Sequence, residues 1–220
     1  KKFWQHMIIS ETVKRVLSSI ILLPFIIFVI IEGSFIFNFL IILFFLISSY
    51  EWIKMNKKYF YKFFDLFFLI ISFYSTYKLR NEFDNGYIYL LLVTLICVLT
   101  DVGGYIFGKL FQGPKLTKIS PNKTYAGMLG SFLMPSISIY IFLYFSNQEF
   151  FKFTKEIFFF ILIISFISQL GDLLVSYFKR KSNIKDTGNI IPGHGGVLDR
   201  IDGMILAFPF SYLFFIYWSF

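Results

Sequence analysis

The sequence predicts an all-α fold, a polytopic bundle of about seven transmembrane helices forming one domain, and three observations carry that prediction. Of 220 residues, 57% are hydrophobic and only 15% charged, and the mean hydropathy is +0.70, more apolar than a soluble core of this size requires. The apolar residues, with 33 Phe among them, gather into runs longer than buried helices need and close to the roughly 18 or more that a bilayer's hydrocarbon layer demands. The basic residues fall in alternate connections between those runs.

Taken in order, the runs are Val16–Ile31, Phe35–Tyr50, Phe63–Tyr77, Tyr87–Thr100 extending toward Phe107, Gly127–Phe145, Ile157–Phe178 and Met204–Trp218. The first is expected to be a retained span, because no small-residue cleavage site follows it. The third carries Asp65 near its start and two runs are short, so six spans or eight elements also suit the pattern. The fourth holds the single cysteine, Cys97, within Leu90–Leu99, where it reads as a small buried hydrophobe. No linker, low-complexity tail or internal repeat divides the chain, so residues 1–220 read as one integral-membrane domain.

Sidedness follows from Lys and Arg, which are enriched in cytoplasmic loops. Seventeen precede span one or follow spans two, four and six, whereas only Lys78, Arg80, Lys152 and Lys155 fall on the other side. The amino terminus is therefore expected in the cytoplasm. The same asymmetry accounts for the net charge of +8 as a membrane-surface feature, with no nucleic-acid partner. The basic connection Glu51–Lys62 reads as a topology determinant without chemistry.

Two other connections on that side carry glycines and acids as well as bases. In the hydrophilic insert Lys179–Gly203, Asp186, Asp199 and Asp202 stand among Lys179, Arg180, Lys185 and Arg200, with Asp172 just inside span six. Carboxylates are the hard oxygen ligands that Mg²⁺ prefers, and an ionisable group within a membrane segment is costly unless it serves function. Asp199 and Asp202, three apart, would share a face if the last helix includes them. Pro192-Gly193-His194-Gly195-Gly196 offers a tight turn whose N–H groups can cradle anionic oxygens. In the other connection, Asp101–Gly127, the glycines 103, 104 and 108 suit close helix packing. Lys115, Lys118 and Lys123, with Ser120 and Thr124, make a basic donor surface suited to a phosphate chain.

The pattern S-x-x-K-R-x4-K-D-x-G-x3-P-G-H-G-G-x-L-D-R-x-D, complete from Ser176 to Asp202, resembles the phosphatidate cytidylyltransferases, also called CDP-diacylglycerol synthases. Ile119-Ser-Pro-x-Lys-Thr124 and Gln169-Leu-Gly-Asp172 resemble further family blocks. Ala126 departs from the pattern, standing where the family usually carries Glu, and the chain is short for the family.

The resemblance implies transfer of CMP from CTP to phosphatidic acid in phospholipid biosynthesis, on the cytoplasmic side of the inner membrane. It also implies Mg²⁺ and a second metal such as K⁺; a homodimer is among the assemblies it allows. The metal set is expected to be Asp172, Asp199 and Asp202, with Asp186. Lys179, Arg180, Lys185, Arg200 and Lys123 would neutralise phosphate, with Ser176, Gly193, Gly195 and Gly196 at the substrate, and His194 would orient the loop or hydrogen-bond a phosphate. Two other readings fit the residues less well: a CTP-dependent polyprenol kinase, which would need a general base beside the acceptor, and an ion transporter, which would spread acids along several spans.

Overall fold

The computed structural model describes residues 11–55, 59–117, 120, 122–145, 154–191 and 195–217. Their helices follow one another as α1 (Glu11–Glu32), α2 (Ser34–Met55), α3 (Tyr59–Asn81), α4 (Gly86–Phe111), α5 (Tyr125–Phe145), α6 (Lys155–Lys181), α7 (Leu198–Ile201) and α8 (Met204–Tyr217). The described residues hold no strand; isolated bridges join Lys115 to Thr124 and Ile191 to Gly195 in the two long connections. Every described residue of the seven apolar runs lies within one helix, and α7 is an extra single turn. Among the described residues, α2, α4, α5 and α6 are long and apolar enough to cross a membrane, while α8 and Ile21–Glu32 are shorter apolar helices.

The surface matches that composition. Phe28, Phe35, Phe142, Phe159, Phe166 and Phe210 each expose more than half of their area, whereas Ser48, Ser72, Ser75, Ser131, Ser165 and Ser168 are buried. A face this apolar is at home in hydrocarbon rather than water, and small hydroxyl residues inside let helices approach closely.

Two such approaches shape the end of the bundle that carries the long connections. Between α4 and α5, a Cβ on Gly103 would overlap the Gly130 carbonyl oxygen, and one on Gly130 would overlap the Phe107 side chain. Ser131 Oγ seals this seam by donating to the Thr100 carbonyl at 2.9 Å. Gly103 and Gly104 thus take the packing role expected of them. The second approach sets the segment before α8 flat on α6: a Cβ on Gly171 would lie 2.7 Å from the Asp202 carbonyl oxygen, and one on Gly203 2.5 Å from Ser168 Oγ.

A main core runs through α1, α2, α3, α4, α5, α6 and α8, with Cys97 buried in it. A smaller one, Trp52 and Met55 of α2, Leu69 of α3, Val175 and Phe178 of α6, Leu198 of α7 and Ile205 of α8, lies where the 182–203 connection folds back. Trp52 meets Phe178 edge to face at 5.9 Å. At the opposite end, Arg80 of α3 donates to the carbonyls of Ile30 (2.7 Å) and Ile31 (3.1 Å) at the close of α1. Gly33, at φ 67°, leaves room for that guanidinium, which a Cβ would strike.

Candidate active site

Acids from three separate elements converge at the end of the bundle that carries the long connections. Asp172 is on α6, Asp202 follows α7, and Asp101 is on α4. Each lies within the electrostatic reach of the others. The flat contact at Gly171 and Gly203 brings Asp202 beside α6, and the glycine seam draws the start of α5 to the same place.

That start is well defined. Thr124 Oγ1 accepts from the Gly127 N–H at 3.1 Å, as an N-cap does, and the Leu116 N–H donates to the Lys123 carbonyl at 2.8 Å. Lys123 is thereby delivered to α6, where its ammonium pairs with Asp172. Ser176, one turn on, donates to the other Asp172 oxygen at 3.2 Å.

Lys179, two turns along α6 from Asp172, is only 8% exposed. Its Nζ lies 3.0 Å from Asp199 Oδ1 and 3.6 Å from Asp202 Oδ2. The two acids do therefore share a face, though on the separate turn α7 and its end rather than on the last helix. Burial first, and then the negative charge of Asp172, pushes the Asp202 carboxyl up to about 8; Lys179 opposes that rise. Desolvation and like charge act together here.

The described end of the glycine-rich turn, Gly195 and Gly196, faces carboxylates of the chain itself. Asp199 Oδ2 accepts from the N–H groups of Thr187 and Gly196, each at 2.9 Å. Glu51 of α2, 2% exposed, accepts from the N–H groups of Val197 (3.1 Å) and Leu198 (2.8 Å) and from the Thr187 hydroxyl (3.1 Å). Glycine is required by this crowding: at Gly195, where φ is +87°, a Cβ would lie 2.7 Å from Asp199 Oδ2, and at Gly196 it would strike Thr187 and the Glu51 carboxylate.

Of the residues expected from the sequence, Asp172, Ser176, Lys179, Asp199, Asp202 and Lys123 are brought together. Arg200 is exposed but close enough for its charge to act on Asp101. Arg180, Lys185 and Asp186 are exposed; Arg180 donates to the Ile184 carbonyl at 3.3 Å, and Asp186 lies beside Gly195. Gly193, His194 and Lys118 lie outside the described residues.

The expectation that Glu51–Lys62 is a connection is corrected in its bounds. Glu51 lies within α2, which runs on to Met55, and its carboxylate holds the loop. Asp101 and Thr187 also join the site unannounced, although an acid at the end of an apolar run was a usable signal for Asp101.

In kind, the donor set fits a hard divalent cation: carboxylate oxygens from three elements, gathered against their mutual repulsion. Among the described residues, no three such groups lie close enough to enclose an ion as they stand, and the ammonium groups of Lys123 and Lys179 sit on the acids instead.

Residues 59–218 match the model of the cytidylyltransferase family. A phosphatidate cytidylyltransferase of Rickettsia typhi is 35% identical over 200 residues, covering 89% of this chain and 88% of its own length. Its counterpart in Rickettsia conorii is 42% identical over 134 residues, 58% of either chain. The one in Haemophilus influenzae is 42% identical over 135 residues, 60% of this chain and 47% of its own. The chain thus spans only about half the length of several curated relatives it matches.

Proposed function

The chain belongs to the cytidylyltransferase family, and from that membership we propose that it is a phosphatidate cytidylyltransferase, making CDP-diacylglycerol and pyrophosphate from CTP and phosphatidic acid. A phosphate oxygen of the lipid attacks the α-phosphorus of CTP. The new P–O bond forms as the bond to the bridging oxygen of the β-phosphate breaks, and that oxygen leaves with the electron pair as part of pyrophosphate.

Such a nucleophile is already anionic near neutral pH, so the reaction needs little general base. It needs charge neutralisation and alignment. The observation that carries the proposal is the alternation of charge at one end of the bundle, where Asp101, Asp172 and Asp202 are interleaved with Lys123, Lys179 and Arg200.

In this reading Lys123 leaves Asp172, and Lys179 leaves Asp202 while staying on Asp199, to bind phosphate oxygens, with Arg180, Lys185 and Arg200 at the rim. Asp172 and Asp202, with Asp101, would hold Mg²⁺, which supplies Lewis-acid charge to a polyphosphate. Asp199 keeps Lys179 and the loop amides in register.

The lipid would enter sideways from the leaflet, between α4, α6 and α8, while CTP arrives from the cytoplasm. Supporting that orientation, Glu51 near the end of α2, Lys123 before α5 and Lys179 near the end of α6 meet at one end of the bundle. Each belongs to a connection, or to a helix end beside one, on the side rich in Lys and Arg. The proposal thus includes about seven crossings of the inner membrane, with the amino terminus in the cytoplasm.

The test is an assay of the purified chain in detergent with phosphatidic acid and CTP labelled in the cytidine ring, with and without Mg²⁺. Label is expected in lipid only with the divalent ion present. No labelled lipid under any condition would defeat the proposal.

A further inference from the structure

We propose that Glu51 is a positioning residue of this site, acting on the reaction through the loop that carries Asp199. The inference rests on the cytidylyltransfer reading above and adds a residue outside the 59–218 stretch that defines the family match.

Three observations support it. All of its partners among the described residues are donors: the Val197 and Leu198 N–H groups and the Thr187 hydroxyl. That pattern calls for a carboxylate, which only accepts. Next, the chain closes tightly around it, since a side chain at Gly188 would lie 2.7 Å from Glu51 Oε1 and one at Gly196 2.5 Å from Oε2. Finally, α2 cannot rotate the group away, because Trp52 and Met55 are locked in the small core with Phe178 and Leu198.

Glu51 and Asp199 grip the two sides of the same loop. Thr187 gives its hydroxyl to Glu51 and its N–H to Asp199; Gly196 gives its N–H to Asp199, while the next two amides go to Glu51. Asp199 in turn holds Lys179, which also faces Asp202. Loosening the loop at Glu51 therefore shifts Asp199, and with it the ammonium that would meet phosphate. Bulk lipid contacts and the entry of phosphatidic acid from the leaflet are left as they were.

Glu51→Gln is the sharp variant, being the same size but placing an NH₂ group where a backbone N–H needs an acceptor. In the full-length chain, kcat is expected to fall about ten- to a hundredfold, the scale of a misplaced catalytic group. KM for phosphatidic acid should stay within about twofold, since the lipid's approach is unaltered, and Glu51→Asp should recover part of kcat by restoring a carboxylate. Hydrogen exchange at the Val197 and Leu198 amides should quicken about tenfold or more, the mark of a locally opened segment.

The exchange measurement does not depend on turnover. A wild-type chain that makes no CDP-lipid would sink the functional reading, whatever the exchange showed. Unchanged exchange in Glu51→Gln, or faster exchange with full kcat, would overturn the positioning role itself. If Glu51→Gln does not fold, Thr187→Val takes its place: a drop in kcat of about fivefold, the worth of one hydrogen bond, supports the role, and an unaltered kcat refutes it.

Discussion

Where α1 turns into α2 and α3 into α4, the guanidinium of Arg80 ties the end of α3 to that of α1 by donating to the Ile30 and Ile31 carbonyls, with the faces of Phe37 and Tyr87 close by. At the far end of the bundle, Lys179 is nearly buried, where Arg80 is only half-buried, and it sits between two carboxylates, with Asp172 and Asp101 adding their charge nearby. Arg80 meets neutral carbonyls and aromatic rings, an arrangement satisfied by itself. The acids of the loop end face one another, and no fold needs that. Like charges gathered in a desolvated place cost stability, which makes them a mark of binding chemistry rather than architecture.

The widest separation between the two ends should come from Lys179→Met. Asp199 and Asp202 would then be buried without their cation, and breaking such a pair costs about 3–5 kcal/mol. The midpoint of thermal unfolding in detergent is expected to drop sharply, and activity to vanish with it.

Removing an acid should separate stability from activity. For Asp172→Asn and Asp202→Asn, turnover is expected to fall by about a hundredfold or more, the scale set by loss of one electrostatic element of an active site. Thermal stability in chelator should hold or rise for Asp202→Asn, because repulsion is relieved. Full Mg²⁺-dependent turnover in both variants would show that this cluster is not the site.

Arg80→Ala tests the other end. It removes charged hydrogen bonds to carbonyls, worth about 1–3 kcal/mol, so the unfolding midpoint should fall while turnover per folded molecule is retained. A loss of turnover in fully folded Arg80→Ala protein would erase the contrast between the ends.

The same contrast explains what could be read from the sequence. The helices were legible because hydrocarbon imposes long apolar runs, and the acids 172, 199 and 202 because charges stand out against them. Glu51 was not, since it adjoins a lysine-rich segment and meets its loop partners 136 to 147 positions away. Asp101 could be seen as an acid in an apolar run, but only the packing of α4, α5 and α6 sets it near Asp172. The glycine turn was read as a cradle for anionic oxygens. Of its described residues, Gly196 gives its N–H to the chain's own Asp199, and the amides just beyond the turn go to Glu51; spacing alone cannot tell a ligand's carboxylate or phosphate from the protein's own. The break between α7 and α8 was equally hidden, because it depends on Gly203 lying against Ser168.

The most gradual expected effect concerns pH, and it singles out Asp202. In the unfolded chain this carboxyl titrates near the usual value of about 4; in the fold, burial and then Asp172 push it up to about 8. Between those values the folded chain binds more protons than the unfolded one, so stability must fall as pH rises. The contribution is fully present below about pH 4, is lost progressively toward about pH 8, and is level above that. In chelator, the unfolding midpoint of the wild type should decline from pH 5 to pH 8, at no more than about 1.4 kcal/mol per pH unit for one proton. Asp202→Asn should flatten the decline, while Arg80→Ala should lower the whole curve without changing its slope. Saturating Mg²⁺ should flatten it too, because a cation competing with the proton stabilises the folded chain more as the carboxyl is freed. A wild-type slope that survived Asp202→Asn unchanged would place the linked proton elsewhere and remove Asp202 from the set of strained acids.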